Sequence, residues 1–126
     1  MNTITLSAGN VSLTAELNDS PTAQQIWQAL PIEGEANRWG DEIYFEIPVK
    51  AGQESDAREQ VEVGELGYWP VGHAFCIFFG PTPVSTDKRP RAYSPVNLLG
   101  RVIGDATRFR AVKDGTQVKL AREDKS

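Results

Sequence analysis

Hydrophobic and polar positions alternate from the first residues. Ile4 and Leu6 fall on one side with Thr3, Thr5 and Ser7 on the other, and after Gly9-Asn10 the alternation resumes through Val11, Leu13, Ala15 and Leu17. A period of two around a Gly-Asn pair predicts a β-hairpin. Ser20-Pro21 then supplies an N-cap residue and a proline suited to the first helical position, and Ala23, Ile26, Trp27 and Leu30 recur at helical spacing. An amphipathic helix ending before Pro31 is expected, its apolar stripe including Trp27.

Residues 33–40 are polar and read as a loop. From Glu42 to Val49 the period of two returns, with Ile43, Phe45, Ile47 and Val49 on one face and Glu42, Tyr44 and Glu46 on the other. Residues 50–60 carry no apolar period and read as an exposed loop, and Val61 and Val63 suggest a short strand. Glycines bracket Tyr68-Trp69-Pro70-Val71, which places the two rings on a turn. The unbroken run from Ala74 to Phe79 predicts a strand buried on both faces. Four of the eight prolines then fall between Gly80 and Pro95, a stiffened loop. Val96 to Ile103 reads as a strand with a bulge at Gly100, and Asp105 to Val112 as a short helix. Thr116 to Ala121 alternates once more, before a charged tail from Arg122 that is expected to fray.

Seven or eight short strands with one or two helices predict a mainly β fold. The expected form is a closed antiparallel barrel of about eight strands with one or two capping helices, because closure removes sheet edges; a sandwich is the alternative. At 126 residues, 40% hydrophobic and 24% charged, the chain is sized for a single domain spanning residues 1–126. A net charge of −4 argues against nucleic acid or an anionic membrane as partner. The longest apolar run is six residues, against roughly 20 for a membrane span. The lone Cys76 removes disulfides and thiolate-paired zinc, and no basic, apolar leader precedes the first strand, so a cytoplasmic location is expected.

Candidate chemistry is sparse. The only histidine, His73, lies three residues from Cys76, so in a strand the two point to opposite faces and form a poor nucleophile–base pair; Cys76 reads as a core thiol. The carboxylates Asp41, Glu42 and Glu46, and Glu54, Asp56 and Glu59, lack the spacing of a calcium loop and read as solvated, so no metal or other cofactor is expected. The aromatic residues Trp39, Tyr44, Tyr68, Trp69, Phe78, Phe79 and Tyr93 are the more distinctive set. Some belong to the core, while others, with Arg91 and Asn97, could line a shallow groove for a peptide or small polar ligand. Trp69 and Tyr93 could equally plug the ends of a barrel.

Four ordered blocks carry a family resemblance: Asn37-Arg38-Trp39-Gly40-Asp41-Glu42-Ile43-Tyr44-Phe45, Val63-Gly64-Glu65-Leu66-Gly67-Tyr68-Trp69-Pro70, Phe75-Cys76-Ile77-Phe78-Phe79-Gly80-Pro81-Thr82-Pro83 and Pro95-Val96-Asn97-Leu98-Leu99-Gly100-Arg101-Val102. Together they resemble the small prokaryotic cyclophilin-like family of unknown function. The resemblance implies a cyclophilin-type barrel with Pro21 to Leu30 and Asp105 to Val112 as its caps. Cyclophilins proper isomerise X–Pro bonds by holding the ring in an apolar pocket while an arginine hydrogen-bonds the prolyl amide. Phe78-Phe79-Gly80 is similar to their double-phenylalanine strand, which would place Phe79 on a pocket wall. Aligning Ile47-Pro48 with the arginine-bearing strand puts Phe45 at the arginine position, and the tryptophan and histidine expected before Asn97 are not matched.

The resemblance therefore implies a non-catalytic peptide or small-ligand module, with no catalytic residue assigned and a candidate groove of Tyr44, Phe45, Trp69, Phe79, Arg91 and Asn97. A divergent prolyl isomerase using Arg91 and an accessory subunit of a metabolic complex are the alternatives. The length itself is informative. The chain is shorter than a typical cyclophilin yet keeps its strands, so the shortening falls in the loops that complete the cyclophilin pocket.

Overall fold

The computed structural model describes residues 2–123. The opening hairpin is β1 (Asn2–Ala8) and β2 (Val11–Leu17), paired antiparallel from Asn2 opposite Leu17 to Ala8 opposite Val11, with Gly9 at φ 58° in the turn. That positive φ is what the glycine supplies. Ile4, Leu6, Ala15 and Leu17 are buried, as the alternation requires. The helix α1 (Pro21–Ala29) starts where expected: Ser20 Oγ accepts from the N–H of Ala23 at 3.3 Å and Pro21 opens the first turn. Ala23 and Ile26 insert into the core. Trp27 is only partly buried, and the Arg122 guanidinium lies 4.7 Å from its ring centre and donates to its carbonyl.

The strands that follow are β3 (Ile32–Glu35), β4 (Asn37–Arg38), β5 (Glu42–Glu46), β6 (Arg58–Gln60), β7 (Glu65–Trp69), β8 (Ala74–Phe78), β9 (Arg91–Ile103) and β10 (Gln117–Arg122). All pair antiparallel in the order β3-β10-β1-β2-β9-β7-β8-β5-β4, with β6 on β9. The mainly β, antiparallel architecture is as expected, but the sheet has ten strands rather than eight and its hydrogen-bonded ladder is not closed. The end strands β3 and β4 are consecutive segments separated by Ala36. The N–H of Ala36 donates to Thr116 and its carbonyl accepts from Gly115, both at 2.8 Å, so the chain itself passes between the two ends of the ladder.

Several boundaries differ from expectation. Residues 33–40 contain β3 and β4, and the strand near Val61 is formed by Arg58–Gln60, because edge pairing needs backbone groups and not an apolar period. β9 starts at Arg91, five residues before Val96, which shortens the proline-rich loop. Tyr68 and Trp69 lie in β7 rather than on a turn, and therefore point to opposite faces. The tail is not free at its start, since Arg122 ends β10 and the N–H of Glu123 donates to Thr3; residues 124–126 lie outside the described residues. The second helix is a 3-10 helix (Ala106–Ala111), capped by Asp105 Oδ1 accepting from Thr107 N–H at 3.0 Å. Its buried Phe109 packs on Phe79 at 6.2 Å between ring centres. No helix among the described residues is long and apolar enough to cross a membrane.

Every residue of β8 is buried, as its unbroken apolar run requires, because the strand serves two cores. Phe75, Ile77 and the following Phe79 enter the main core with Ile43, Phe45, Leu66 and Tyr68. Cys76 and Phe78 point the other way, into a smaller cluster with Val61, Ala92 and Val96, partly covered by Tyr44, Trp69 and Leu98.

Candidate functional site

The second cluster opens into a cavity of about 180 Å³ lined by Trp39, Glu42, Tyr44, Trp69, Cys76, Ala92, Tyr93 and Val96. Sheet register assembles it. Glu42 pairs with Phe78 and Tyr44 with Cys76, and on the next strand Trp69 pairs with Ala74, so side chains from β5, β8 and β7 share one face. Gly67 lets β9 close over this face: a Cβ there would meet Val96 Cγ2 at 2.9 Å.

Four aromatic rings surround the opening in a run of edge-to-face contacts. Trp39 and Tyr93 have centres 6.1 Å apart, Tyr93 and Trp69 6.2 Å, and Trp69 and Tyr44 6.2 Å, with interplanar angles of 74°, 81° and 78°. Such geometry sets the positive edge of one ring against the negative face of the next. Trp69 Nε1 donates to Ser94 Oγ at 2.6 Å, which fixes the central indole. Tyr93 is 72% exposed and forms the rim.

Within this apolar lining sits one carboxyl group. Glu42 is 5% exposed, and its Oε1 accepts no hydrogen bond from any described residue. Burial raises its pKa from 4.5 to about 8, opposed only in part by the Cys76 thiol beside it. The thiol of Cys76 is itself pushed well above its ordinary value, first by burial and then by the neighbouring Glu42. The pocket is thus preformed and predominantly apolar, with a neutral acid at its base near pH 7 that can donate a proton or, once ionised, accept donors. No group of three or more His, Cys, Asp or Glu side chains is placed to hold a metal ion among the described residues. A second cavity, between β2, β6 and β9, is lined by Glu16, Glu62 and Glu65 together with Arg58 and Arg101, charges that largely balance one another.

Of the residues singled out from the sequence, Tyr44 and Trp69 come together in the pocket. Phe45 and Phe79 belong to the main core, where Phe45 packs on Phe75 and the Arg38 guanidinium lies 5.1 Å from the Phe79 ring centre. Arg91 is held by Glu59 at 2.6 Å with its side chain 37% exposed, whereas Phe79, beside which an Arg91-based prolyl isomerase would need it, is fully buried in the main core. Asn97 is fully buried as a clamp: it accepts from Glu54 N–H at 2.8 Å and donates to Gly52 carbonyl and Thr22 Oγ1 at 2.9 and 3.0 Å. The reading of Glu42 as solvated is corrected, because the face it shares with Tyr44 is covered by β9 and its neighbours instead of by water. Trp39, Tyr93 and Cys76 complete the pocket. The available signal was an acid in alternation with an aromatic residue opposite a doubly apolar strand.

Comparison with known proteins agrees with this architecture. A solution structure of a hypothetical protein from Archaeoglobus fulgidus is 38% identical, with a TM-score of 0.82 over 97% of this chain and 95% of that one. The structure of McbB in complex with tryptophan matches at 17% identity and a TM-score of 0.75, over 98% of this chain but 45% of that one, a likeness of fold. No curated protein matches. The family model described as cyclophilin-like matches residues 2–121, and the chain belongs to that family.

Proposed function

We propose that this protein is a cytoplasmic binding module that takes a peptide side chain or a small ligand into the pocket of Trp39, Tyr44, Trp69 and Tyr93, without turnover. One observation carries the reading. Glu42 keeps an unpartnered carboxyl oxygen at the base of an open, aromatic-lined cavity. An isolated polar group buried in this way costs stability, about 1–3 kcal/mol or more for a carboxyl, and a ligand that engages it would offset that cost. The cavity also suits a ligand in size, since a dry cavity of roughly 150 Å³ accepts benzene. The net charge of −4 favours such partners over nucleic acid.

Trp39 and Trp69 line the pocket, so ligand entry should change tryptophan emission. The test is a fragment and peptide screen read by thermal shift and fluorescence on the wild type and Tyr93→Ala. Ligands that stabilise the wild type and lose at least tenfold in affinity with Tyr93→Ala support the reading. A screen in which nothing stabilises the protein at saturating concentration overturns it.

A further inference from the structure

Four aromatic rings bound the pocket in edge-to-face contact with one another, and none of the lining side chains is basic. Aromatic faces attract cations, more strongly where water is excluded. Among the described residues Glu42 Oε1 is the buried side-chain oxygen without a hydrogen-bond partner, and in its ionised form the group that completes it is a hydrogen-bond donor. An anion would meet the carboxyl with no counter-charge, and a wholly apolar guest would leave the acceptor unpaired. A protonated amine satisfies both features at once: its N–H group supplies the donor and its charge is shared between carboxylate and rings.

We infer that the pocket binds a small organic ammonium group, primary or secondary, seated among Trp39, Tyr44, Trp69 and Tyr93 with an N–H directed at the Glu42 carboxylate. The inference rests on the reading of this cavity as a ligand site and names its chemistry. The apolar body attached to the amine is limited to about the size of one ring by the 180 Å³ of the cavity. A free amine and an amine-bearing side chain of a peptide share this chemistry, and the probe below isolates the head group from either source.

Binding of this kind has a proton signature. The ionisable groups that line the pocket with Glu42 are Cys76 on β8, which lies beside its carboxyl, Tyr44 on its own strand and Tyr93 on β9, while β7 contributes only the indole of Trp69. Glu42 is largely neutral at pH 7 in the empty pocket, so an arriving cation displaces its proton. Affinity for the cation then rises with pH, by roughly tenfold per pH unit below about 8. A neutral Glu42 donating to a carbonyl-bearing guest would show the opposite dependence.

The experiment compares benzylammonium with benzyl alcohol by titration calorimetry from pH 6 to 8, on the wild type, Glu42→Gln and Tyr93→Ala. Expected are at least tenfold tighter binding of benzylammonium than of the alcohol at pH 8, release of about one proton per ligand bound at pH 6 falling to about half a proton at pH 8, and loss of that discrimination in Glu42→Gln. Tyr93→Ala, at an exposed rim position where folding is little disturbed, should weaken benzylammonium and keep its pH dependence. Equal binding of the two probes, or discrimination that survives in Glu42→Gln or is lost as pH rises, overturns the ammonium inference and leaves the pocket reading standing. The same holds if neither probe binds but another compound of the screen does. If nothing binds at all, both fall.

Discussion

The carboxyl of Glu42 and the thiol of Cys76 lie side by side on the face of the sheet that turns away from the main core; burial raises the pKa of both, Glu42 raises that of Cys76 further, and the thiol offsets only part of the rise at Glu42. Two weak acids are therefore held neutral near pH 7 in the same apolar pocket. Glu42 is the one whose titration falls within an accessible range.

That titration makes stability depend on pH. The folded-state value of Glu42, about 8, lies above its ordinary 4.5, so the fold prefers the neutral acid. The contribution is complete below about 4.5 and is lost as pH rises to about 8, with a total on the order of 5 kcal/mol. Thermal unfolding at several pH values should show the wild type losing stability relative to Glu42→Gln across this window. Parallel curves for the two proteins would refute the assignment.

Cys76 should be inert in the folded protein. Although it lines the pocket it is 1% exposed, and the thiolate needed for reaction is disfavoured by burial and by Glu42. Reaction with an aromatic disulfide reagent at pH 8 is expected to be at least about tenfold slower than that of a free thiol, and to become fast and stoichiometric in denaturant. Rapid labelling of the native protein would contradict the burial of this strand.

Asn97 is predicted to matter for stability and not for the pocket. Its side chain joins the N–H of Glu54, the carbonyl of Gly52 and the hydroxyl of Thr22, tying the loop after β5 to the start of α1. Asn97→Ala removes the three hydrogen bonds of a fully buried side chain, one buried and two partly buried, and leaves partners unsatisfied, a cost of about 3 kcal/mol. Chemical denaturation should register it, with faster proteolysis in residues 50–57 and unchanged affinity for any ligand of the aromatic pocket.

Arg91 gives the contrasting case. Its ion pair with Glu59 is formed by two side chains that are each 37% exposed, and exposed pairs contribute about 0–1 kcal/mol. Arg91→Ala should shift the unfolding midpoint slightly and leave ligand binding within error. A coupled assay on X–Pro peptides in which the wild type accelerates isomerisation and Arg91→Ala abolishes the effect would restore Arg91 as a functional residue.

Gly100 is the most restrictive backbone position. At φ 144°, opposite Leu17 of β2, it brings β9 so close to its neighbour that a Cβ would sit 1.8 Å from the Glu16 carbonyl oxygen. Gly100→Ala should cost about 4 kcal/mol or more, in the range reserved for disrupted backbones, or prevent folding. A near-native melting temperature would show that β2 and β9 can separate without penalty.

The sequence by itself determined the elements that carry a period or a cap. The hairpin around Gly9-Asn10, the helix opened by Ser20-Pro21, the strand from Glu42 and the doubly buried strand from Ala74 were all legible, because side-chain burial imposes spacing of two or of three to four on local sequence. The four family blocks were legible for the same reason, being strands and the turns between them. Tertiary structure alone decided the rest. The strands β3, β4 and β6 exist through backbone pairing with distant partners, which leaves no apolar rhythm, and whether the ladder closes depends on where β3 and β4 lie in space.

The site divides along the same line. Tyr44 and Trp69 were identifiable as amphipathic rings away from obvious core positions. Phe45 and Phe79, equally aromatic, proved to face the main core, a distinction that turns on register between β5, β8 and the rest of the sheet. Glu42 was legible only as one acid among several on a polar face. That its face is covered by β9, so that water is excluded and the carboxyl kept neutral, is a property of strands about fifty residues apart in sequence, and burial, unlike periodicity, is not a local quantity.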